Sequence, residues 1–217
     1  MSSTISTTRP HLGCNILGIV TQRLIIRPLL LSDLQAFYTI RSQPEAMAHS
    51  GRGRPDANIE ETKDKLQRLQ LPYENRHVYF GIFLKNSDGS EGNLIGDGGV
   101  HKMISETSGW PELGYKFKKD YWHLGYATEF VKGFLKFWFN LPRQSVEIGV
   151  HPSTVDYFVQ GEGWSGGGVP LPHRERVCAW TTKDNVASQN VLEKAGFEIF
   201  QGLEGEAADL INWRFVF

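Results

Sequence analysis

Apolar residues in the middle of the chain recur with the spacing of a helix. They fall at i, i+3, i+4, i+7, i+8 and i+11, and they are Ala127, Phe130, Val131, Phe134, Leu135 and Trp138. This spacing places them on one face of a helix. An extended run over residues 112–118 precedes them, followed by a tight turn with Gly125 at its bend. The sequence therefore predicts a strand, a short turn and a helix that begins at once and runs to Asn140.

A strand–turn–helix unit of this kind leaves the first main-chain N–H groups of the helix without acceptors and directs them into the turn. A hydrogen bond to a charged group contributes about 1.5–3 kcal/mol, whereas an exposed helix terminus contributes about 0.3–1 kcal/mol per charge. Several such donors therefore suffice to bind a pyrophosphate without a basic side chain. Glycine also occurs at strand-to-helix turns that bind nothing, so the rest of the sequence has to decide.

The other patterns predict an alternation of short strands and helices. Before the turn they indicate strands over residues 21–29, 77–85, 94–104 and 110–118, a helix opened by a capping box of Ser32 and Gln35 and ended by Pro44, and a helix over 58–70. After the turn they indicate strands over 146–150, 176–183, 197–203 and 210–217, and a helix over 185–195 ended by Gly196. The mixture is typical of an α+β domain: a central, mostly antiparallel mixed sheet flanked by about four helices.

Two segments fall outside this pattern. Residues 1–20 are rich in Ser and Thr, and we expect them to form a flexible N-terminal tail. Residues 152–176 are rich in Gly and Pro and interrupt the domain over 21–217 as an irregular insertion. The insertion is interpreted either as a mobile flap near a substrate, with Tyr157 and Trp164 as contacts, or as a surface insertion without a role.

Composition narrows the range of partners and compartments. The 23 Lys and Arg residues nearly balance 24 Asp and Glu residues, so no bulk charge favours nucleic acid or an anionic membrane. Two cysteines form no disulfide framework and favour a reducing, cytoplasmic compartment. The apolar run near the N-terminus is too short for a membrane span, although the absence of acids before Asp33 leaves a transit peptide open. No metal-ligand spacing is present, and either a monomer or a homodimer is expected.

Three segments together resemble a known family. "ELGYKFKKDYWHLGYATEFVKGF" over residues 112–134 is similar to the acetyl-CoA-binding motif of GNAT-fold N-acetyltransferases. "WTTKDNVASQNVLEKAGFEIF" over 180–200 and "RLIIRPLLLSDLQAFYTIRSQPEAM" over 23–47 resemble segments of their RimJ/RimL-like branch. The resemblance implies a GNAT-like fold, acetyl-CoA as co-substrate, an amine as acceptor, and direct attack in a ternary complex.

The resemblance also implies which residues bind the cofactor. The family loop pattern Gln/Arg-x-x-Gly-x-Gly/Ala corresponds to Trp122, His123, Leu124, Gly125, Tyr126 and Ala127, with Thr128 following it. The last positions fit, while the first is Trp, which is common in the RimJ/RimL-like branch. His123 replaces a frequent glycine. Because the family uses main-chain amides there, we expect phosphate binding to persist with an altered loop conformation. Main-chain groups near Phe117 and Lys118 are implied to pair with the pantetheine arm, and Asn185 and Ser188 to lie near the pantetheine and the thioester sulfur.

Transfer to an amine requires a proton acceptor and a proton donor. A lysine amine has a pKa near 10.4 and an α-amine near 7.7–8.0, so a base or a water molecule must collect a proton. Glu112 is the first candidate, on the expectation that burial raises its pKa toward neutrality; the alternative is a solvated residue at a strand end. His101 and Asp97, four residues apart on one strand face, are alternatives.

The departing thiolate requires a hydroxyl donor. Ser188 is the first candidate and Tyr126 the weaker one. Ordinary structural roles compete with these assignments: Ser188 as a residue of the first helical turn, Asn185 as an N-cap, and Lys194 as a partner of the helix dipole.

Two further motif matches are rejected. Residues 161–166 fit GxGxxG and residues 163–167 fit GxSxG, but the Gly/Pro-rich sequence that follows would not form the helix that both motifs require. Three functions remain: an acetyl-CoA-dependent N-acetyltransferase, a non-catalytic acyl-CoA-binding module, and, as a distant alternative, a serine hydrolase using Ser165. A peptide N-terminus, a lysine, a polyamine and a small aromatic amine all remain open as acceptors.

Overall fold

A computed structural model of the chain describes residues 2–12, 18–70, 77–155, 173–200 and 209–216. The strands are β1 (Ser3–Pro10), β2 (Ile19–Val20), β3 (Leu24–Arg27), β4 (Val78–Lys85), β5 (Glu91–Lys102), β6 (Glu112–Phe117), β7 (Arg143–Val150), β8 (Arg176–Thr182), β9 (Glu198–Ile199) and β10 (Leu210–Val216). The helices are α1 (Leu34–Arg41), α2 (Pro44–Met47), α3 (Ile59–Leu69), α4 (Tyr126–Asn140) and α5 (Val186–Ala195). None of these helices is long and apolar enough to cross a bilayer.

Eight of the strands form one mixed sheet in the order β2-β3-β4-β5-β6-β8-β10-β9. Every neighbouring pair is antiparallel except β6 and β8, which run parallel. The predicted α+β class with a mostly antiparallel mixed sheet is therefore confirmed.

The sheet is covered on both faces. On one face, the apolar side chains of α4 that were predicted to share one side of the helix pack against alternate residues of β4, namely Val78, Phe80 and Ile82. On the other face, Tyr79 and Phe83 of the same strand pack in a separate cluster with residues of α1 and α3. Because β4 is buried on both sides, it lies at the centre of the fold and makes the two layers depend on each other.

The expected flexible tail is wrong for residues 3–10, which form β1. This strand pairs antiparallel with β7 in a separate two-stranded sheet, from the pair Ser3 and Val150 to the pair Pro10 and Arg143. Ile5 of β1 and Ile148 of β7 are buried in a third apolar cluster with Trp110. The threonines that suggested a tail are β-branched and suit a strand.

The start of the first helix also differs from the prediction. A 3-10 turn over Leu31–Asp33 precedes α1, so Ser32 is not the N-cap. Instead the Asp33 carboxylate accepts a hydrogen bond from the Leu30 N–H at 2.7 Å and is held by Arg27. Asp33 is the N-cap residue of α1, but its side chain accepts no N–H of that helix and instead closes the preceding 3-10 turn.

The insertion over 152–176 is described at its two ends. The first end forms a 3-10 turn, Pro152–Thr154, in which the buried Thr154 hydroxyl accepts a hydrogen bond from the Trp110 indole at 2.8 Å. The second end leads into β8. Both glycine motifs, Ser165, Tyr157 and Trp164 lie outside the described residues.

Candidate active site

The parallel strands β6 and β8 separate soon after they meet. They share one residue pair, Glu112 with Cys178, next to a hydrogen bond of 2.8 Å from the Cys178 N–H to the Pro111 carbonyl. No further pair joins them within the described residues. The sheet therefore opens between the end of β6 at Phe117 and the end of β8 at Thr182, and α4 and α5 begin close to the two sides of this opening.

A tight loop connects β6 to α4 on one side of the opening. It contains a 3-10 turn over Lys119–Tyr121, then an extended Trp122, and it has positive φ angles of 59° at His123 and 82° at Gly125. In the described part of the chain, the main-chain N–H groups of residues 123–128 donate no hydrogen bond; the Glu129 N–H is the first to bind a carbonyl of the helix start, that of Gly125, at 3.1 Å. The predicted strand, turn and helix are present, and the turn is lined by free donors.

His123 adopts a left-handed backbone conformation, which is sterically unfavourable for a residue with a side chain. A left-handed residue with a side chain costs roughly 1–2 kcal/mol, although histidine is among the residues found there more often. The Trp122 indole donates to the Phe117 carbonyl at 2.8 Å and so closes the turn onto the end of β6. The loop is therefore shaped by main-chain geometry and one indole.

The same contacts limit what the end of β6 offers a ligand. The Phe117 carbonyl is bound by Trp122, and the Lys118 N–H donates to the Ile95 carbonyl of β5 at 2.9 Å. Two of the main-chain groups implied to pair with pantetheine are thus engaged within the protein. The main-chain groups of successive strand residues point to opposite edges of the strand. Since the Lys118 N–H points to β5, the N–H groups of Tyr115 and Phe117 point to the other edge, toward the opening.

Two predicted residues lie on the other side of the opening, at the start of α5. Asn185 is the N-cap, and its side-chain oxygen accepts a hydrogen bond from the Ser188 N–H at 3.2 Å. The Tyr115 hydroxyl of β6 donates across the opening to the Ser188 carbonyl at 3.4 Å. Ser188 therefore lies in the first turn of the helix, as its structural role predicts. It also lies beside the opening.

Glu112 lies at the closed end of the opening and is only 4% exposed. Its carboxylate accepts hydrogen bonds from the Ser105 hydroxyl at 2.6 Å and the Trp180 indole at 2.9 Å, and it pairs with His101 Nε2 at 2.8 Å. Burial raises the pKa of Glu112, but the hydrogen bonds from His101, Ser105 and Trp180 outweigh it and hold the pKa at about 2. Neither expectation for Glu112 is met: the residue is not solvated, and its pKa is lowered rather than raised toward neutrality.

His101 is the exposed member of this pair. Its side chain is 32% exposed against 5% for Glu112, and its ring covers Gly114, where a Cβ atom would come within 2.9 Å of Nδ1. A carboxylate on Nε2 favours a proton at Nε2 and leaves Nδ1 as an acceptor. The pair therefore has the arrangement of a histidine base oriented by a buried carboxylate.

Asp97 lies on the same sheet face as His101, as predicted, but its carboxylate is bound by other residues. It is fully buried, and one carboxylate oxygen accepts from the Tyr79 hydroxyl at 2.6 Å and the Lys116 ammonium at 2.8 Å. Lys116 and Glu112 lie four residues apart on the same face of β6, so Asp97 and His101 share a face but have different partners. Asp97 thus belongs to a buried ion pair that is separate from Glu112.

Sequence reasoning missed α2, which connects the two sides of the opening. Before this helix, the Gln43 side chain accepts from the Lys119 N–H at 3.2 Å, and Glu45 in it pairs with the Lys119 ammonium at 2.7 Å. After it, His49 Nδ1 lies 3.1 Å from the Thr182 hydroxyl at the end of β8. Pro44 ended the predicted helix, but a proline also suits the first position of a new one, and that was the available signal.

Comparison with known proteins identifies the family. The sequence profile of the acetyltransferase (GNAT) domain matches residues 23–198. The chain belongs to this GNAT family. The matched region of this GNAT protein contains the opening between β6 and β8, the loop over 122–128 and the Glu112–His101 pair.

The relatives agree with this membership. Over 136 residues, or 62% of the chain, this GNAT protein is 27% identical to the uncharacterized N-acetyltransferase p20 of Bacillus licheniformis, of which it covers 73%. Its fold is similar to a GNAT-family acetyltransferase from Bacillus anthracis, with a TM-score of 0.61 and 20% identity over 92% of this chain and 98% of that one. It is also similar to the microcin C7 self-immunity acetyltransferase MccE, solved with acetyl-CoA and AMP, with a TM-score of 0.59 and 12% identity over 91% and 96%. The structural likenesses show the shared fold.

The GNAT family uses acetyl-CoA as its acyl donor. In the ranges that the structure describes, no three His, Cys, Asp or Glu side chains are grouped so that they could hold a metal ion. The free N–H groups of residues 123–128 form a site suited to the diphosphate of such a donor.

Proposed function

We propose that this protein transfers an acetyl group from acetyl-CoA to the nitrogen of an amine acceptor by direct attack in a ternary complex. The observation that carries the proposal is the position of the opening between β6 and β8. It has free main-chain donors of the loop on one side and the His101–Glu112 pair at its closed end. One ligand lying along β6 would meet both.

The residues present fit acetyl-CoA. The main-chain N–H groups from His123 to Thr128 would hold the diphosphate, and the Phe117 N–H that faces the opening would pair with the pantetheine arm in place of its carbonyl. Asn185 and Ser188 would border the thioester. When bound, acetyl-CoA supplies an acetyl group activated as a thioester.

His101 is proposed as the proton acceptor. Its Nδ1 would take a proton from the ammonium of the acceptor, which frees the nitrogen lone pair to attack the thioester carbonyl, and the carboxylate of Glu112 would stabilise the imidazolium and fix the ring. Because Glu112 has a pKa of about 2, it stays ionised at neutral pH and acts on His101 as a positioning residue. The contribution of such a base is typically about 10²–10⁴-fold in rate.

Ser188 is proposed as the proton donor to the departing thiolate, with its hydroxyl regaining a proton from solvent water. Its hydroxyl belongs to the first turn of α5, and its main chain is fixed on both sides by Asn185 and Tyr115. Tyr126 is the weaker candidate because its ring lies 4.4 Å from the Arg23 guanidinium and packs edge-on against Tyr121. The difference favours Ser188.

The His101–Glu112 pair also favours an enzyme over a module that only binds acyl-CoA. A buried carboxylate that accepts from three side chains and orients a partly exposed histidine serves proton transfer, and diphosphate binding on the distant loop does not require it. Hydrolysis by Ser165 remains the distant alternative, and this serine lies outside the described residues.

The finer assignments are proposals that rest on sequence similarity. The segments over 112–134 and 180–200 support a RimJ/RimL-like enzyme, with a peptide N-terminus or a small-molecule amine as acceptor. We also propose a cytoplasmic protein, as a monomer or a homodimer. The anionic Glu112 at the closed end is compatible with the positive charge of an incoming ammonium.

One screen tests the proposal. The purified protein is incubated with acetyl-CoA and a panel of peptides with free N-termini, lysine, polyamines and aromatic amines, and thiol release is followed. Release that depends on the amine, with no hydrolysis of a simple ester, supports the transferase. Binding of CoA by calorimetry without thiol release for any amine would favour the binding module, and ester hydrolysis would favour Ser165.

A further inference from the structure

Arg23 lies just before β3, and its side chain contacts the loop over residues 122–128. Its Nε pairs with the Glu129 carboxylate at 2.7 Å, and its Nη1 donates to the Leu124 carbonyl at 3.0 Å. The guanidinium also lies 4.4 Å from the centre of the Tyr126 ring. Nothing in the sequence patterns singled out this arginine, and the family loop motif does not include it.

Glu129 holds Arg23 in this position. The Glu129 carboxylate accepts hydrogen bonds from the Thr21 hydroxyl at 2.6 Å and from the Arg23 N–H at 2.7 Å, besides the pair with the guanidinium. Glu129 lies in the first turn of α4. The base of the guanidinium is thus fixed to the helix, and its tip is fixed to the loop carbonyl.

The contact with Leu124 determines the direction of a neighbouring donor. In a trans peptide the carbonyl of one residue and the N–H of the next point in opposite directions. Because the Leu124 carbonyl points to Arg23, the Gly125 N–H points away from Arg23, and like the neighbouring loop N–H groups it has no acceptor among the described residues. A glycine accepts either sign of φ, so this peptide unit could rotate if nothing held the carbonyl.

We propose that Arg23 is a positioning residue for acetyl-CoA: by binding the Leu124 carbonyl, it fixes the Gly125 N–H toward the diphosphate. This inference rests on the proposed function and adds to it, because loop donors alone would leave the orientation of the peptide unit undetermined. Arg23 acts from behind the loop and contacts no phosphate itself.

Arg27, the last residue of β3, offers a matched control. Its guanidinium also pairs with two carboxylates, those of Asp33 and Glu91, both at 2.7 Å, and it lies 4.0 Å from the centre of the Phe83 ring. Among the described residues, it makes no hydrogen bond or ion pair with the loop over 122–128. Arg27→Gln therefore removes a comparable set of interactions away from the cofactor site.

The test compares Arg23→Gln with Arg27→Gln in the full chain. We expect Arg23→Gln to raise the calorimetric Kd for CoA about tenfold, which is about 1.4 kcal/mol at 25 °C. The KM for acetyl-CoA should rise equally, with kcat at saturation unchanged. Arg27→Gln should lower the melting temperature and leave the Kd unchanged. If the two variants lose stability alike and both keep the wild-type Kd, Arg23 is structural and the inference is wrong.

Charge is separated from geometry by two more variants. Arg23→Lys keeps the positive charge but has no planar fork to reach Glu129 and Leu124 together, and the double variant Arg23→Gln/Glu129→Gln removes both charges. Positioning predicts that both still bind CoA about tenfold more weakly. Recovery of the wild-type Kd in either one would show a pure charge effect and overturn the inference.

A readout without ligand completes the test. In the ¹⁵N–¹H spectrum of the free protein, the Gly125 amide should shift or broaden in Arg23→Gln and stay in place in Arg27→Gln. An unchanged Gly125 amide in Arg23→Gln would contradict the proposed positioning. If wild-type protein does not bind CoA at all, the proposed function fails first and takes this inference with it; wild-type binding with an unaffected Arg23→Gln overturns this inference alone.

Discussion

The loop over 122–128 and the Glu112–His101 cluster differ in the groups that they offer: main-chain N–H groups in the loop and side chains in the cluster. The loop offers main-chain N–H groups, so its side chains are free to vary as long as the backbone conformation is kept. The cluster depends on side chains from four separate positions, and each makes a contact of 2.9 Å or less with Glu112 or is Glu112 itself. Substitutions should therefore be tolerated in the loop unless they change its backbone, and be damaging in the cluster even when they are conservative.

The largest expected effect comes from breaking the loop with charge and strain together. Gly125→Glu puts a charged side chain on a residue with φ of 82°, and its Cβ would come 3.4 Å from Arg23 Nη2, so the new carboxylate would compete with the Leu124 carbonyl for this guanidinium and would oppose the charge of the diphosphate. We expect CoA binding to fall below detection by calorimetry. Gly125→Ala, which adds the strain without the charge, serves as the control and should weaken binding by about tenfold, since a left-handed residue costs roughly 1–2 kcal/mol. Unchanged affinity in Gly125→Glu would refute the loop assignment.

The cluster should respond in kcat rather than in affinity. His101→Ala is expected to lower kcat by about 10²–10⁴-fold, and Glu112→Gln by about 10²-fold because a neutral amide no longer stabilises an imidazolium. The KM for acetyl-CoA should change little in either variant. Asp97→Asn, in the separate buried ion pair with Lys116, should lower stability and keep kcat. Full rate in Glu112→Gln across pH 6 to 9 would exclude the pair as the proton acceptor.

The pH dependence of stability tests the electrostatics of Glu112 separately. Its folded-state pKa of about 2 lies below the ordinary value of 4.5, so the unfolded state binds the proton more tightly. The stabilisation is therefore fully present above about pH 4.5 and is lost as pH falls toward about 2. The size is on the order of 3 kcal/mol. Denaturant melts of wild type and Glu112→Gln from pH 6 to pH 2.5 should converge, and a constant difference between them would contradict the lowered pKa.

A smaller effect is expected at the start of α5. Ser188→Ala removes the hydroxyl proposed to protonate the thiolate, whose free-thiol pKa is near 8.5. Because a thiolate is a tolerable leaving group without help, we expect kcat to fall by only about tenfold and the Kd for CoA to stay the same. Ser188→Thr retains a hydroxyl and should recover most of the rate. Equal rates for wild type and Ser188→Ala would assign Ser188 to the helix turn alone.

The smallest effect should come from the loop side chain that looks most unusual. His123→Gly removes a side chain from a residue with φ of 59° and should change the Kd for CoA by less than about twofold, because only the main chain is proposed to bind. Thermal stability should stay equal or rise, since relief of left-handed strain and the added freedom of glycine in the unfolded chain oppose each other. A large loss of affinity would mean that the imidazole itself contacts the ligand.

Local periodicity was sufficient where one element decides its own structure. The apolar face of α4, the alternation in β4, the N-cap at Asn185 and the turn before α4 all follow from residues close together in the sequence. The mostly antiparallel sheet followed from their order and from the resemblance to GNAT enzymes.

Features that join distant residues were not predictable in this way. The pairing of β1 with β7 joins residues about 140 positions apart, and no local pattern encodes the partner. The pKa of Glu112 depends on Ser105, His101 and Trp180, which come from different elements, so burial alone predicted the wrong direction. The hydrogen bond from the Arg23 guanidinium to the Leu124 carbonyl likewise exists only because the fold brings the two residues together.

The most direct test of the account is a crystal structure of the protein with CoA. The account predicts that the diphosphate accepts hydrogen bonds from the main-chain N–H groups of residues 123–128, and that the thiol end lies in the opening between β6 and β8, within reach of His101 and Ser188. A structure with CoA bound elsewhere, or with these donors still unpaired at saturating CoA, would contradict it.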